Sequence, residues 1–409
     1  GHGGNDMDHR EGNVTPSPVP SWRTFLTDVL ICSLGAYGGP ETHISVFLSQ
    51  MVHKKGYLSE EELIELLALN GILPGPTSTQ TIVSIGYKTG GRLLALLTLL
   101  VWALPVIALM TAASFAYGIL EQRGLSTTVL RFVGPMAVGF IIYAAVRIGR
   151  KVVVNRLTAG LFLMSAVVTF FFRQPWVFPV VLVLGGAVSA GVNAEHGMWR
   201  SPPLRPPWGY LFLFGVIALT SLLAAALFET RLVQLFEAFY RYGYLVFGGG
   251  QVVVPVMQSE LVDVRGYMSN QQFLTGYGLV QGLPGPMFSF AAYAGGMASR
   301  DGGSLVQLLG ALIGGVAIFL PGILLIFFVY PVWEQLKGIR AVRLAIAGVN
   351  AVAGGLIAVS IVVLGLSTGF TAVTVGVMLL TAGLLFFTKI PAPLIVLAAL
   401  VSGVVIPPL

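Results

Sequence analysis

The sequence predicts an all-α integral membrane protein with about 13 transmembrane helices in two inverted-topology repeats, whose helices break at Gly-Gly and Pro-Gly-Pro motifs. Three observations lead to this fold class. Of the 409 residues, 56% are hydrophobic and 10% are charged, whereas soluble domains carry about 25% charged residues. Residues 344–388 contain no charge, which is enough for two crossings at about 20 residues each. The motif Leu-Pro-Gly-Pro occurs twice, at 73–76 and at 283–286.

A constant offset relates the two halves of the chain and marks an internal duplication. The 210 residues that separate Leu73 from Leu283 also separate Gly38-Gly39 from Gly248-Gly249. Proline within an apolar stretch interrupts a helix. Broken helices at equivalent positions of two membrane halves are typical of the substrate site of a transporter.

The chain divides into four parts. Residues 1–20 are polar and rich in Gly and Pro, and we expect a disordered tail. Residues 21–195 form the first repeat. Residues 196–228 hold a Pro-rich linker and an apolar stretch that has no partner in the first half, which predicts a connecting transmembrane span. Residues 229–409 form the second repeat, and the single connecting span inverts it relative to the first.

The distribution of Lys and Arg bears on how the broken segment 60–88 and its repeat cross the membrane. If both segments cross, fourteen basic residues fall on the side of the N-terminus and eight on the other side. If both are re-entrant hairpins, the split is ten against twelve. Basic residues concentrate on the cytoplasmic side of membrane proteins. The first split therefore favours full crossings, thirteen spans and a cytoplasmic N-terminus, although the sequence alone leaves the hairpin open.

Four segments together resemble the chromate ion transporter (CHR) family in its two-domain form. They are Tyr37-Gly38-Gly39-Pro40-Glu41, Leu73-Pro74-Gly75-Pro76-Thr77-Ser78-Thr79-Gln80, Phe247-Gly248-Gly249-Gly250 and Gln281-Gly282-Leu283-Pro284-Gly285-Pro286. The resemblance covers nearly the whole chain. It implies a multi-pass carrier of the bacterial inner membrane that exports chromate and confers chromate resistance. Two departures, Tyr37 in place of Phe and Gly250 in place of Pro, concern the shape of the first break in each repeat.

The residues after the first Pro-Gly-Pro are the best candidates for a substrate site. Chromate is a tetrahedral dianion, and the N-terminus of a helix offers free N–H groups and a favourable dipole. The helix that restarts after Pro74, Gly75 and Pro76 should place hydroxyl and amide groups beside the anion, at Thr77, Ser78, Thr79 and Gln80. Alternatively, the hydroxyls only cap the helix. After Pro284, Gly285 and Pro286 the sequence is less polar, so we expect backbone N–H groups to contribute there.

Further candidates surround the Gly-Gly breaks. Glycines can unwind a helix or allow close helix packing, and either applies to Gly38, Gly39, Gly248, Gly249 and Gly250. Glu41 and His43 follow the first break at membrane depth, where ionisable groups are usually functional. Gln251 replaces Glu41 in the second repeat. Gln281 is polar within an apolar span, and interhelical hydrogen bonding is the main alternative to substrate contact.

Other function classes find less support in the sequence. Cys32 is the only cysteine, so we expect no disulfide and no cysteine metal cluster, and we expect no cofactor. The basic residues lie in short loops, which predicts topology determinants rather than nucleic-acid binding. The expected partners are a chromate-like or sulfate-like oxyanion and the lipid bilayer, and a homodimer stays open. A sulfate carrier, another oxyanion carrier and a channel are the alternatives, because duplicated broken helices occur in all of them.

Overall fold

The computed structural model describes residues 20–247, 253–336 and 338–408, without the side chains of Pro40 and Glu41. Nearly all of the expected tail at 1–20 therefore lies outside the described residues. Within the described ranges all regular structure is helical. The α-helices are α1 (Trp22–Gly35), α2 (Pro40–Phe47), α3 (Glu60–Ile72), α4 (Thr77–Gln122), α5 (Ser126–Val129), α6 (Val133–Val152), α7 (Arg156–Phe171), α8 (Val177–Val192), α9 (Trp208–Leu227), α10 (Arg231–Leu245), α11 (Val253–Met257), α12 (Asn270–Gln281), α13 (Phe290–Ser299), α14 (Ser304–Ala317), α15 (Leu320–Val329), α16 (Trp333–Leu336), α17 (Arg340–Thr368), α18 (Ala372–Phe387) and α19 (Ala392–Val405).

The first repeat begins with a helical hairpin, hairpin 1, made of α1, α2 and a π-helix at Leu48–Lys54 that continues α2. Its tip is the Gly38-Gly39 break, where both glycines have positive φ (87° and 101°), a region that only glycine enters without strain. Below the tip the two arms run side by side in opposite directions. This is shown by the Gln50 amide, which donates to the Asp28 carboxylate on the other arm at 2.9 Å. The chain therefore turns back at the break instead of continuing as one span.

Hairpin 2 is formed by α3 and the first part of α4, up to Gly90 and Gly91, whose backbone is not helical. Its tip is the Pro-Gly-Pro segment. Near the tip, the Asn70 amide donates to the Thr81 hydroxyl at 3.0 Å. At the other end of the arms, Lys88 forms an ion pair with Glu62. Residues 62 and 88 would lie about 39 Å apart in a straight broken helix at 1.5 Å per residue. The expected full crossing of 60–88 is therefore wrong.

The second repeat starts with the same pair of hairpins. Hairpin 3 consists of α10, α11 and a π-helix at Gln258–Val264, and Arg241 on one arm pairs with Glu260 on the other at 2.9 Å. Hairpin 4 consists of α12, a 3-10 turn at Met287–Ser289 and α13. Its arms are joined where the Tyr293 hydroxyl donates to the Gln272 carbonyl at 2.6 Å. Each repeat thus holds two hairpins that do not cross the molecule.

The described part of the chain holds nine apolar helical stretches, the first of which includes one arm of hairpin 2. Five are long and apolar enough to cross a membrane: Thr77–Gln122, Val133–Val152, Trp208–Leu227, Ser304–Leu336 and Arg340–Thr368. Four are shorter: Arg156–Phe171, Val177–Val192, Ala372–Phe387 and Ala392–Val405. This multi-pass, all-helical architecture confirms the predicted class of integral membrane protein. The expected number of 13 spans was too high because it counted the folded-back segments as crossings.

Close helix packing holds the second repeat's hairpin 4 against α14. A Cβ added at Gly295 would lie 2.2 Å from the Gly310 carbonyl oxygen, and one added at Gly314 would lie 2.4 Å from the Ala291 carbonyl oxygen. Small residues allow membrane helices to approach in this way, since lipid gives no hydrophobic drive between them. Hairpin 4 is thereby fixed against α14, and the glycines of both Pro-Gly-Pro tips, Gly75 and Gly285, are buried.

Candidate functional site

The tips of the hairpins are joined across the two repeats. The Gly75 N–H donates to the Val246 carbonyl at 2.7 Å, and the Gly285 N–H donates to the Ala36 carbonyl at 2.7 Å. Each glycine has positive φ (127° and 106°). The two bonds are equivalent, because the repeat offset relates Gly75 to Gly285 and Ala36 to Val246. Each Pro-Gly-Pro tip is therefore hydrogen-bonded to the end of the first helix of the other repeat.

Three helices start at this junction, and none of their starts has a side-chain cap. They are α2 after Gly39, α4 after Pro76 and the helical turn after Pro286. The first backbone bonds of these helices are donated by His43, Gln80 and Ser289, so the N–H groups of the preceding residues have no partner within their own helix. A Cβ at Gly39 would lie 3.8 Å from the Met287 sulfur, which shows how close two of the starts are. Uncapped helix starts bind anions.

A buried network joins the start of α4 to α2. His43 Nδ1 and the Ser78 hydroxyl share a hydrogen bond of 2.8 Å, and the Trp102 indole N–H donates to the Thr79 hydroxyl at 3.0 Å. The edge of His43 packs against the Trp102 ring, with ring centroids 5.4 Å apart. Trp102 is itself held by the Ser33 hydroxyl, which donates to its carbonyl at 2.7 Å. These contacts orient two of the hydroxyls that the sequence predicted for the anion site.

Three polar atoms at the junction are buried without a hydrogen-bond partner among the described residues: His43 Nε2, Gln80 Oε1 and the Ser289 hydroxyl. The Gln80 amide nitrogen donates to the Pro74 carbonyl at 2.9 Å, so its donor group already holds the Pro-Gly-Pro turn. Unpaired buried polar atoms are costly. His43 Nε2 and the Ser289 hydroxyl are therefore groups that a bound anion could satisfy.

The other residues that the sequence singled out lie in different positions. The Gln281 amide donates to the Tyr277 carbonyl of its own helix at 3.4 Å, not to another helix. Glu41 lies in the first turn of α2, while its side chain is not described. Gly248, Gly249, Gly250 and Gln251 fall outside the described residues. Pro284 is the first residue of the second Pro-Gly-Pro tip, in which Gly285 donates the bond to the other repeat.

Trp102 was missed by the sequence reasoning. It is fully buried and stands in the middle of the long α4, whereas Trp22, Trp176, Trp199, Trp208 and Trp333 lie near the ends of apolar stretches. Tryptophan usually marks the membrane interface, so a tryptophan in mid-span was the available signal. Its indole N–H needs a partner when it is buried, and that partner is part of the site.

The described part of the junction carries helix dipoles and no Lys or Arg side chains. The tip segments 36–50, 70–87 and 279–299 contain no Lys or Arg. Beside Pro76, Thr79 and Gln80 lies a cavity of about 10 Å³ that reaches Gly322 on α15. That volume is about one water molecule. This cavity is therefore too small for an oxyanion in the described arrangement of these residues.

Comparison with known proteins identifies the family. The profile described as chromate transporter matches residues 23–191 and again residues 233–404. The chain belongs to the chromate transporter family. The resemblance drawn from its broken-helix motifs is thereby confirmed, and the protein is a transporter and not an enzyme.

Relatives cover nearly the whole length of this family member. A chromate transport protein of Pseudomonas aeruginosa is 28% identical over 404 residues, which is 95% of this chain and 93% of that protein. One of Cupriavidus metallidurans is 26% identical over 406 residues, or 97% and 96% of the two chains. An uncharacterized transporter of Bacillus subtilis, YwrA, matches 43% of this chain but 97% of its own length at 28% identity, so a protein of one repeat's length exists. No solved structure matches.

Proposed function

We propose that this transporter is a secondary active carrier that exports chromate across the bacterial inner membrane and binds it where the hairpin tips meet. The observation that carries the proposal is the convergence of three uncapped helix starts at a junction without Lys or Arg. The named relatives support chromate as the substrate. The donors offered to the anion are the backbone N–H groups of Thr77, Ser78 and Thr79, the Thr77 hydroxyl, and His43 Nε2, which carries its proton when the Ser78 hydroxyl donates to Nδ1.

A site made of dipoles suits a carrier because the anion must also leave. Each helix start acts as about half a positive charge, so three of them attract a dianion without an excess of fixed charge. A dianion that leaves a negatively charged cytoplasm is driven outward by about 2.3 kcal/mol per charge per 100 mV. Membrane potential alone can therefore supply export, and exchange for a proton or another ion would add to it.

We further propose that the two repeats are inverted, with hairpins 1 and 2 entering from the cytoplasmic side and hairpins 3 and 4 from the opposite side. The long arm of α4 supports this arrangement. At its start, the Arg92 guanidinium lies 5.2 Å from the ring of Tyr210 at the beginning of α9. Near its end, Glu121 accepts a bond of 3.4 Å from Gln272 at the base of hairpin 4. About 45 Å of helix separates these two contacts.

The charges agree with nine crossings and four re-entrant hairpins. Among the described residues, fourteen basic side chains then fall on the side of the N-terminus: Arg23, Lys54, Lys55, Lys88, Arg92, Arg147, Arg150, Lys151, Arg156, Arg200, Arg205, Arg340, Arg343 and Lys389. Seven fall on the other side: Arg123, Arg131, Arg173, Arg231, Arg241, Arg265 and Arg300. Over the same described residues, thirteen crossings give thirteen against eight, so nine crossings satisfy the positive-inside rule better. The division of the chain into a first repeat from residue 21, a linker with a connecting span from residue 196 and a second repeat from residue 229 is also part of this proposal.

An anion panel in proteoliposomes tests the function. Uptake of chromate, sulfate, molybdate and phosphate is measured under an imposed membrane potential and under an imposed pH gradient. We expect concentrative chromate uptake that an ionophore abolishes and that sulfate inhibits by competition. Chromate flux no greater than in empty vesicles would reject the proposal. Flux that only equilibrates chromate and ignores the ionophore would indicate a channel.

A double substitution places the site within the chain. Replacing Thr77 and Ser78 together by Ala should raise the KM for chromate about tenfold, since a hydrogen bond to a charged group contributes about 1.5 kcal/mol or more. The matched control replaces Ser367 and Thr368 by Ala, because these adjacent hydroxyls bond only carbonyls of their own helix. An unchanged KM in the first variant would remove both side chains from the site.

A further inference from the structure

A cavity lined by charged groups lies at the base of hairpin 1. The cavity measures about 390 Å³ and its wall includes Arg23, Lys54, Lys55 and Asp28. Lys54 and Lys55 come from the end of the π-helix, and Arg23 comes from the first turn of α1. Three cations and one carboxylate give the wall a net positive charge, and the volume is large enough for a tetrahedral oxyanion with several waters.

Asp28 neutralises only part of this charge. Its carboxylate is 2% exposed and receives hydrogen bonds from the Gln50 amide at 2.9 Å and from the Tyr57 hydroxyl. The Lys55 ammonium lies 3.7 Å from it, which is an ion pair without close contact. The carboxylate thus anchors the floor of the cavity, while the cations stand at its rim with exposed side chains.

The equivalent place in the second repeat is filled. The repeat offset relates Lys55 to Arg265 and Gln50 to Glu260, and both Gln50 and Glu260 are the third residue of a seven-residue π-helix. Glu260 is buried and pairs with Arg241 at 2.9 Å and with Arg265 at 3.2 Å. Glu237 also pairs with Arg241, at 2.7 Å, so two carboxylates neutralise Arg241 and Arg265 in hairpin 3. Hairpin 1 has a neutral amide there instead, and its cations line an open cavity.

We propose that this cavity is a second anion site, in which Arg23, Lys54 and Lys55 bind the oxyanion before it reaches the hairpin tips. The inference rests on the proposed function for the identity of the anion and on the proposed topology for its cytoplasmic side. A cluster of cations in a concave wall raises the local concentration of an anion and its association rate. The closed repeat-2 counterpart would then offer no such site on the exit side.

The first test measures transport. Lys54→Gln combined with Lys55→Gln should raise the KM for chromate about threefold to tenfold with an unchanged kcat, because the loss of two exposed cations weakens the attraction of the anion to the cavity. The difference from wild type should shrink at high salt, where exposed charges are screened. Lys54→Arg with Lys55→Arg should restore the wild-type KM. The control, Arg150→Gln with Lys151→Gln, removes the same charge from exposed positions at the end of α6 and should leave KM unchanged. An equal rise of KM in the control would overturn the proposal.

The second test does not depend on transport. Acetylation of the Lys54 and Lys55 amines is followed by mass spectrometry in protein reconstituted into purely zwitterionic lipid. Chromate or sulfate should slow it, and should leave Lys151 unaffected. Protection that needs anionic lipid and does not respond to added chromate would assign the cavity to a lipid phosphate and overturn the proposal. Protection without any chromate flux would retain the site and reject only the proposed function.

Discussion

A single methyl group at Gly285 should destabilise the junction through two separate energetic costs, backbone strain and overpacking. Alanine there would have to adopt the φ of +106°, which costs about 1–3 kcal/mol for a residue with a side chain. Its Cβ would also lie 2.9 Å from Val106 Cγ1. Val106 is fully buried and branched, so it cannot move aside easily, and such overpacking costs about 1–3 kcal/mol more. We therefore expect Gly285→Ala to destabilise the protein by about 2–6 kcal/mol.

A double-mutant cycle separates the two costs. In a Val106→Ala background the methyl group of Gly285→Ala has room, so only the backbone strain should remain and the two substitutions should couple favourably by about 1–3 kcal/mol. The control is Gly303→Ala, at φ +93° with no atom within 4 Å of the added Cβ, which should show backbone strain alone. Thermal unfolding in detergent, followed by size-exclusion chromatography, measures the four proteins of the cycle and the Gly303→Ala control. Equal destabilisation by Gly285→Ala and Gly303→Ala, with no coupling to Val106→Ala, would refute the packing of the second tip.

Three further substitutions probe other parts of the molecule. Glu260→Gln removes the carboxylate that pairs with Arg265 and leaves Arg241 with Glu237 as its remaining carboxylate partner, and it should destabilise the protein by about 3 kcal/mol. A melting temperature within one degree of wild type would contradict the ion network. Trp102→Phe removes the indole N–H that holds a hydroxyl of the site, and should raise the KM for chromate about fivefold, as expected for a loss of about 1 kcal/mol; an unchanged KM would separate this residue from the site. Glu41→Gln should transport chromate with a flat pH profile, because the carboxylate at the start of α2 would no longer titrate; a wild-type profile would leave Glu41 as a structural residue.

The repeats and their breaks could be predicted from the sequence because they depend on local chemistry. Proline and glycine fix where a helix must stop, and the repeat offset shows that both halves stop at equivalent places. The direction of the chain after a break depends on long-range contacts such as Lys88 with Glu62. No local pattern reports these contacts, so the fold-back of hairpin 2 was not predicted.

The charge count was misleading for a related reason. It compared crossings and hairpins only for the Pro-Gly-Pro segments and kept the earlier Gly-Gly segments as crossings. The structure folds back both kinds of segment, since Asp28 meets Gln50 and Arg241 meets Glu260. Once both are hairpins, the positive-inside bias returns.

The candidate site was predicted in outline but not in its connections. Thr77, Ser78, Thr79 and Gln80 do begin α4 at the junction of the tips. Their partners are Trp102, which lies farther along α4 beyond the Gly90-Gly91 kink, and His43 on α2. They are 23 and 35 residues away in sequence from the groups that they bind. Buried networks of this kind are set by packing, which the spacing of residues along one helix does not reveal.

The most direct test of the account is the sidedness of the bases of hairpins 2 and 4, probed at both arms of each. Single cysteines at Glu61, Arg92, Gln271 and Asp301, introduced in a Cys32→Ala background, are labelled from each side of the membrane with an impermeant thiol reagent. Opposed re-entrant hairpins predict that Glu61 and Arg92 react only from the cytoplasmic side and that Gln271 and Asp301 react only from the outside. Labelling of Glu61 and Arg92 from opposite sides, or of all four positions from one side, would contradict the account.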